Sequence, residues 1–462
     1  MNVISAVQRS PMGFWQYVVV GICFLGNMAD GFELAVIGFA LPRLPEDFAT
    51  TGQKGWLASG ALIGMGLGAM FLTRFADRYG RRRMLILASA TSTIGMFLSS
   101  MAPNVWALFG FRLVTGLGVG VIGALTIVVA QEFSSLKNRN MSTAMTTIGY
   151  ATGAFLAGSV GLVLLDALGG GWQTLFHTGA AISLIGTVAM IFLLPESLEY
   201  LVTRDDDASR AKIARIAAKL NLDGVDPAAK PPVDESGRVH DSDDAAMTPF
   251  SAPYLRTTLM LTFGFTMLIA AYYFVTNWTP QLITDATGDE RTGTLVGTVV
   301  TFGGVMGAVV FGVLGMKLFS THVAWLMLTI AVIAQLTFAL TMAGPVAIVA
   351  AALLGMGGFA AMSSYMASTP PLYPAALRAR AVGAVVGLSR VGSIITPIAA
   401  GYLLSYVTGF TLYVGASVLF AVSGVTIFLL WRRTRSRFRR ERDGTVDSSA
   451  GRSALREAMV GE

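Results

Sequence analysis

The sequence predicts an all-α membrane protein of twelve transmembrane helices arranged as two pseudo-symmetric six-helix bundles. Three observations lead there: an excess of apolar side chains, their recurrence in runs long enough to cross a bilayer, and a lopsided distribution of cations between the connecting loops. Hydrophobic residues make up 54% of the 462-residue chain and charged residues only 13%, with a mean hydropathy of +0.64. A soluble fold could not hide so much apolar surface, whereas a lipid-facing exterior requires it.

A span needs roughly 20 apolar residues at about 1.5 Å rise each. Runs of that kind fall at about 15–41, 55–76, 83–102, 104–131, 141–166 and 172–194. Six more follow a polar gap, at about 255–284, 291–316, 321–343, 345–370, 381–407 and 409–431. The first run is too long for the apolar core of a signal peptide and lacks a small-residue cleavage site, so it reads as a retained helix. The expected division is an N-terminal bundle at 1–194, a linker at 195–254, a C-terminal bundle at 255–431 and a basic tail at 432–462. Two similar halves joined by a polar linker are the organisation of a secondary transporter.

Loop charge sets the orientation. With both termini cytoplasmic, 28 of the 33 Lys and Arg fall on inner segments, and only Arg43, Lys54 and Arg291 on outer loops. That asymmetry supports an even number of spans and a multi-pass protein of the inner (cytoplasmic) membrane. Within the linker, Ile213, Ile216 and Leu220 share one helical face while Lys212, Arg215 and Lys219 lie elsewhere, which predicts a helix on the inner membrane surface or under the bundle. From Asp223 to Asp244 acidic residues, Pro and Gly predominate, a composition expected to be mobile. The tail Trp431 to Arg442 follows a span directly, so it reads as an anchor on anionic lipids rather than a nucleic-acid contact. A monomer is expected.

Ionisable residues inside spans are the most informative, since each costs about 2.5 to 3.5 kcal/mol at a helix centre. Asp30 and Glu33 fall in the first span, Arg112 in the fourth and Arg390 in the eleventh, with Glu132 at the inner end of the fourth. Asn27, Asp30 and Glu33 are spaced by three and project from one face. Counted along their helices, Asp30 lies about 16 Å and Arg112 about 10 Å below the outer surface, which would let them pair. Such a pair could simply fix helix packing. Two acids against one nearby base leave one carboxylate over, however, which favours a titrating group. Withdrawal from water disfavours the charged form of a carboxylate, and a group so poised can load and release a proton. Arg390 does not usefully deprotonate, and its planar fork suits a carboxylate.

Tyr272, Tyr273, Asn277 and Trp278 in the seventh span, with Tyr365 in the tenth, are candidates to line an aromatic-binding cavity, although interfacial belts use Tyr and Trp as well. His177 and His322 fall at span ends, where a solvated interfacial role is expected. The lone cysteine, Cys23, is read as a small buried hydrophobe. No cofactor or metal is expected. Gly118, Gly120 and Gly123 spell GxGxxG, yet no strand precedes them, so close helix packing is the better reading, as it is for Gly60, Gly64 and Gly68. No phosphate-binding loop is present, which argues against an ATP-driven pump.

The loop after the second span, Thr73 to Arg83, reads TRFADRYGRRR. It resembles the signature of the major facilitator superfamily, with Asp77, Arg78, Gly80, Arg81 and Arg82 at matching positions and Thr73 where Gly is usual. The resemblance implies a cytoplasmic latch whose charge-assisted partners exchange as the halves rock. The equivalent loop of the second half, Gly315 to His322, lacks the Asp and Arg. Leu194 to Ser197, LPES, is similar to the segment found after the sixth span of sugar and organic-acid porters. DGFE at Asp30 to Glu33 resembles the DGxD motif of the aromatic acid:proton symporters, with Glu33 in place of the second Asp. The fifth span, GYATGAFLAG, lacks the Gly-Pro pair of proton-coupled antiporters.

That likeness implies import of a benzoate-, hydroxybenzoate- or gentisate-like acid with at least one proton. Asp30, Glu33 and Glu132 would then serve proton coupling, and Arg112, Arg390, Asn27, Tyr272, Tyr273, Asn277, Trp278 and Tyr365 the substrate. Rival expectations are another organic acid or a nicotinate-like or sugar cargo, a proton-coupled drug exporter, or a transport-like sensor that binds without moving its ligand.

Overall fold

The computed structural model describes residues 2–167, 169–204, 206–222, 225–229, 248–342, 344–374 and 377–442, the side chains of 140, 166–167, 379 and 434–442 excepted. The acidic stretch Asp223 to Asp244 lies outside the described residues except for 225–229, as do most tail side chains and everything after Arg442.

The chain is nearly all helix. In order the helices are α1 (Val3–Arg9), α2 (Phe14–Ala40), α3 (Thr51–Leu67), α4 (Phe75–Tyr79), α5 (Arg81–Ser100), α6 (Val105–Glu132), α7 (Arg139–Gly161), α8 (Trp172–Leu193), α9 (Leu198–Arg204) and α10 (Asp207–Lys219). There follow α11 (Ala252–Thr287), α12 (Glu290–Gly315), α13 (Ser320–Thr341), α14 (Pro345–Ser368), α15 (Arg378–Leu403) and α16 (Gly409–Arg442). Eleven of the long helices are apolar enough to cross a membrane among the described residues. The twelfth, α5, has six Ser and Thr between Ser89 and Ser100 and three leading arginines, so its mean hydropathy is low. It packs between α6 and α8, where those hydroxyls find partners.

Local chemistry fixes the ends. Asn104 caps α6 by accepting from the Ala107 N–H at 2.9 Å, and Thr50 with Gln53 forms a capping box on α3. Gly80 joins α4 to α5 at φ 101°, a left-handed conformation that glycine adopts without strain. Helices α2, α3 and α5 to α8 pack among themselves, and α11 to α16 do the same. Glycine allows the closest approaches: a Cβ on Gly64 would overlap the Leu113 carbonyl, and one on Gly116 the Ala61 carbonyl. Gly118 and Gly120 likewise abut Ala88 and Met65 backbone, so the GxGxxG run is a packing surface.

The face bearing the Arg74 to Arg83 loop is the basic face of the molecule. There α1, α9 and α10 lie against α2 and α6, burying Val3, Val7, Leu201, Ile213 and Ile216 in one apolar cluster that also holds Cys23. Lys219 of α10 places its ammonium 4.7 Å from the Trp15 ring centroid. At the opposite face the two bundles meet tightly: Gly38 touches the Thr276 and Asn277 backbone, and Gly55 that of Pro397 and Ile398.

Candidate functional site

Helix α2 carries the DGFE motif, and every residue of it has a neighbour that explains it. A Cβ on Gly31 would overlap the Tyr150 carbonyl, and one on Gly153 the Met28 carbonyl, so α2 and α7 touch backbone to backbone. Phe32 is fully buried beside Gly179. Asp30 turns toward α6, where a Cβ placed on Gly123 would stand 3.6 Å from its carboxylate. One turn away, Asn27 donates to Thr126 Oγ1 at 2.5 Å. Glu33 points to the α5–α8 seam and accepts from Ser92 Oγ, with Ser183 beside it.

Those hydroxyls belong to a ladder. Thr93 Oγ1 donates to Ser183 Oγ at 3.0 Å, and Ser89 and Thr187 hydroxyls meet at 2.7 Å. The network holds α5 to α8 and fixes Glu33 through groups that can donate or accept as needed.

Arg112 engages Glu33 rather than Asp30, which corrects the pairing expected from axial depth. Its Nη1 donates to the Glu33 backbone carbonyl at 2.7 Å and lies 3.8 Å from Met96 Sδ, and its guanidinium is 5.8 Å from the Phe176 ring centroid. Among the described residues no carboxylate oxygen comes within 4.0 Å of it. Asp30, Glu33 and Arg112 are 2%, 1% and 0% exposed. Asp30 Oδ1 and Arg112 Nε and Nη2 have no hydrogen-bond partner among the described residues. A buried polar group left open in this way costs stability, and functional sites are where such cost is retained.

A second cluster joins the bundles. Tyr150 of α7 stacks on Phe359 of α14, with centroids 6.3 Å apart and planes at 20°, and its hydroxyl meets that of Tyr273 at 3.2 Å. Tyr272 packs edge-on to Tyr273 at 6.2 Å and tilts against Phe359 at 6.3 Å. Arg390 of α15, half-buried, is the cation facing Tyr150. No hydrogen bond or ion pair engages its guanidinium among the described residues.

Three expected lining residues sit elsewhere. Tyr365 is enclosed within the C-terminal bundle, donating to the Ser423 carbonyl at 3.0 Å and stacking on Phe265. Trp278 is fully buried and donates to the Pro397 carbonyl at 3.2 Å. Asn277 bonds its own helix at Tyr273 O and abuts Gly38 at the opposite-face seam. Tyr150 and Phe359 were not singled out from sequence; the signal for the first was a lone tyrosine in a fifth span of small residues. Both span-end histidines have partners: His177 meets Ser100 Oγ at 3.0 Å, and His322 packs on Trp431 at 4.6 Å.

Glu132 lies with the basic loop, away from the acid pair. It is ion-paired with Arg81, which also reaches Glu199 at 2.9 Å. Arg82 donates from Nε to the Leu194 carbonyl at 2.6 Å, from Nη2 to the Ile191 carbonyl at 2.6 Å, and from its backbone N–H to Glu196 at 2.9 Å. The LPES segment thereby caps α5. Asp77 and Arg78 are exposed, and Asp77 has no ion pair among the described residues, so Arg81 and Arg82 make the contacts here. Glu132→Gln should lower stability by about 3 kcal/mol, because it strips a buried partner from Arg81. A thermal melt checks this, and an unchanged midpoint would show the pair to be dispensable.

The family model for the Major Facilitator Superfamily matches residues 23–369 and again 260–459. The chain belongs to the Major Facilitator Superfamily. As a superfamily member it is a multi-pass membrane transporter and not an enzyme. The 4-hydroxybenzoate transporter PcaK of Pseudomonas aeruginosa is 29% identical over 436 residues, 93% of this chain and 95% of that one. The gallate transporter of Pseudomonas putida is 27% identical over 93% of each chain. The gentisate transporter of Corynebacterium glutamicum is 24% identical over 91% of this chain and 88% of its own. These relatives agree with the resemblance carried by DGFE. Among solved structures, the partially occluded inward-open xylose transporter XylE from E. coli superposes with a TM-score of 0.69 at 14% identity, covering 90% of this chain and 99% of that one. That likeness supports the superfamily fold.

Proposed function

We propose that this transporter imports a small aromatic carboxylate together with at least one proton, by alternating access between its two bundles. The observation that carries the reading is the Tyr150, Tyr272, Tyr273 and Phe359 cluster beside the open guanidinium of Arg390, one backbone contact from the buried Asp30. Flat π-faces suit an aromatic ring, and a planar fork suits its carboxylate. The names of the relatives, transporters of 4-hydroxybenzoate, gallate and gentisate, support the same cargo class.

In this scheme Asp30 carries the proton. Neutral Asp30 lets the loaded protein pass through an occluded state without an unpaired charge, whereas an empty, ionised site is penalised. Arg112, held on the Glu33 carbonyl, positions the acid pair, and Arg390 holds the substrate. The basic face is cytoplasmic, with both termini there, and residues 1–194 and 255–431 rock as units joined by 195–254. One chain supplies both bundles, so a monomer suffices, with anionic lipids at the tail from 432 onward.

Uptake of labelled 4-hydroxybenzoate into proteoliposomes under an inward proton gradient tests the reading. Accumulation should be saturable and stop when a protonophore is added. Arg390→Gln should raise KM by about 100-fold, since a charge-assisted contact of about 3 kcal/mol is lost. Indifference of uptake to aromatic acids and to the gradient would sink it.

A further inference from the structure

The opposite face is acidic where it is exposed and cationic where it closes. Glu46, Asp47, Asp285, Asp289 and Glu290 are all exposed there, as is Arg291. Thr292 and the Arg291 N–H hold the Asp289 carboxyl below the usual carboxylate range, so it stays charged at neutral pH. Arg43 and Lys54, the face's other two cations, sit at the seam between bundles. Lys54 Nζ donates to Gln281 Oε1 at 3.1 Å, and Gln281 Nε2 donates to Asp285 Oδ1 at 2.7 Å. Arg43 Nη1 lies 3.0 Å from Glu290 Oε2.

In both links the cation belongs to the N-terminal bundle and the acid to the C-terminal one. Separating the bundles at this face therefore parts Lys54 and Arg43 from Gln281 and Glu290, leaving Glu46 as the charged neighbour of Lys54 on its own side. With the seam closed, Lys54 is only 9% exposed and has a neutral amide as its direct partner. Glu46 and Asp285 are the charged groups that face it. A buried ammonium is a costly way to make a plain structural contact, which a neutral side chain could supply.

We infer that Lys54, uncovered when the seam opens, is a first docking site for an anionic carboxylate at the mouth, with Arg43 beside it. Attraction from the uncovered ammonium offsets part of the repulsion that an anion meets from the surrounding acids, and it acts mainly on the encounter step. The inference rests on the reading of an aromatic carboxylate as cargo and of this face as the outer one.

The test is initial-rate uptake of labelled 4-hydroxybenzoate at low and high ionic strength, using right-side-out proteoliposomes. Lys54→Gln should raise KM about tenfold at low salt and leave kcat unchanged. The difference should vanish at high salt, where screening removes the steering, and Lys54→Arg should behave as the unaltered protein. A Lys54→Gln variant with the original KM and salt dependence would overturn the inference while leaving the cargo reading intact. So would a KM raised equally at every salt concentration, the mark of a mere seam contact. Absence of uptake by the unaltered protein would remove the cargo reading and the docking site with it.

Discussion

Asp30→Asn should give a folded protein that exchanges its cargo across the membrane but cannot accumulate it. The amide matches the carboxyl in shape, and Asp30 Oδ1 makes no hydrogen bond among the described residues, so little packing is disturbed. What disappears is the group to which the proposed mechanism assigns the proton. With one proton per cargo, a gradient of one pH unit is worth about 1.4 kcal/mol and sustains about tenfold accumulation. The variant's accumulation ratio should fall to about one, while counterflow of preloaded substrate continues. Uphill uptake at the original level would remove Asp30 from the coupling step.

Gly31→Val should prevent folding altogether. A Cβ there would overlap the Tyr150 carbonyl, a backbone atom that cannot rotate aside as a side chain can. Overpacking costs about 1 to 3 kcal/mol where side chains can yield, and here the whole α2–α7 contact would have to separate. Gly21→Val on the same helix is the control, because nothing lies within 4 Å of a Cβ at that position. The expected outcome is loss of the monodisperse peak in detergent for the first variant only. Equal behaviour of the two would contradict the close approach.

The twelve spans were legible because each is a long apolar run bounded by loops with their own chemistry. Even α5, the most polar of them, coincides with the run at about 83–102. The linker helix was visible in the spacing of Ile213 and Ile216, which are buried as that pattern implied. The site was only half legible. Sequence gives the depth of a residue along its helix but not its azimuth relative to another helix, and so Asp30 and Arg112 were paired when Arg112 faces Glu33. The same limit put Trp278 and Tyr365 on a cavity wall, although an aromatic ring in a span can face its own bundle just as readily. Tyr150 does not stand out in the sequence because its neighbours Phe359 and Tyr273 are more than a hundred residues away, in the other bundle. DGFE is conspicuous in the sequence for its two acids, while the role of its glycine depends on the contact with α7.

The seam at the opposite face combines two attractions of very different range. Ion pairs such as Arg43 with Glu290 act across about 8 Å of saline, whereas Gly38 and Gly55 meet the facing backbone through dispersion, which fades within about 1 Å of separation. Charge thus draws the two rims together from afar, and adhesion of bare main chain then completes the seal. A few side-chain bonds add to that seal, Trp56 donating to Tyr402 at 3.2 Å and Ser59 to the Ile394 carbonyl at 2.7 Å, so a half-open mouth in which they have parted has little to hold it.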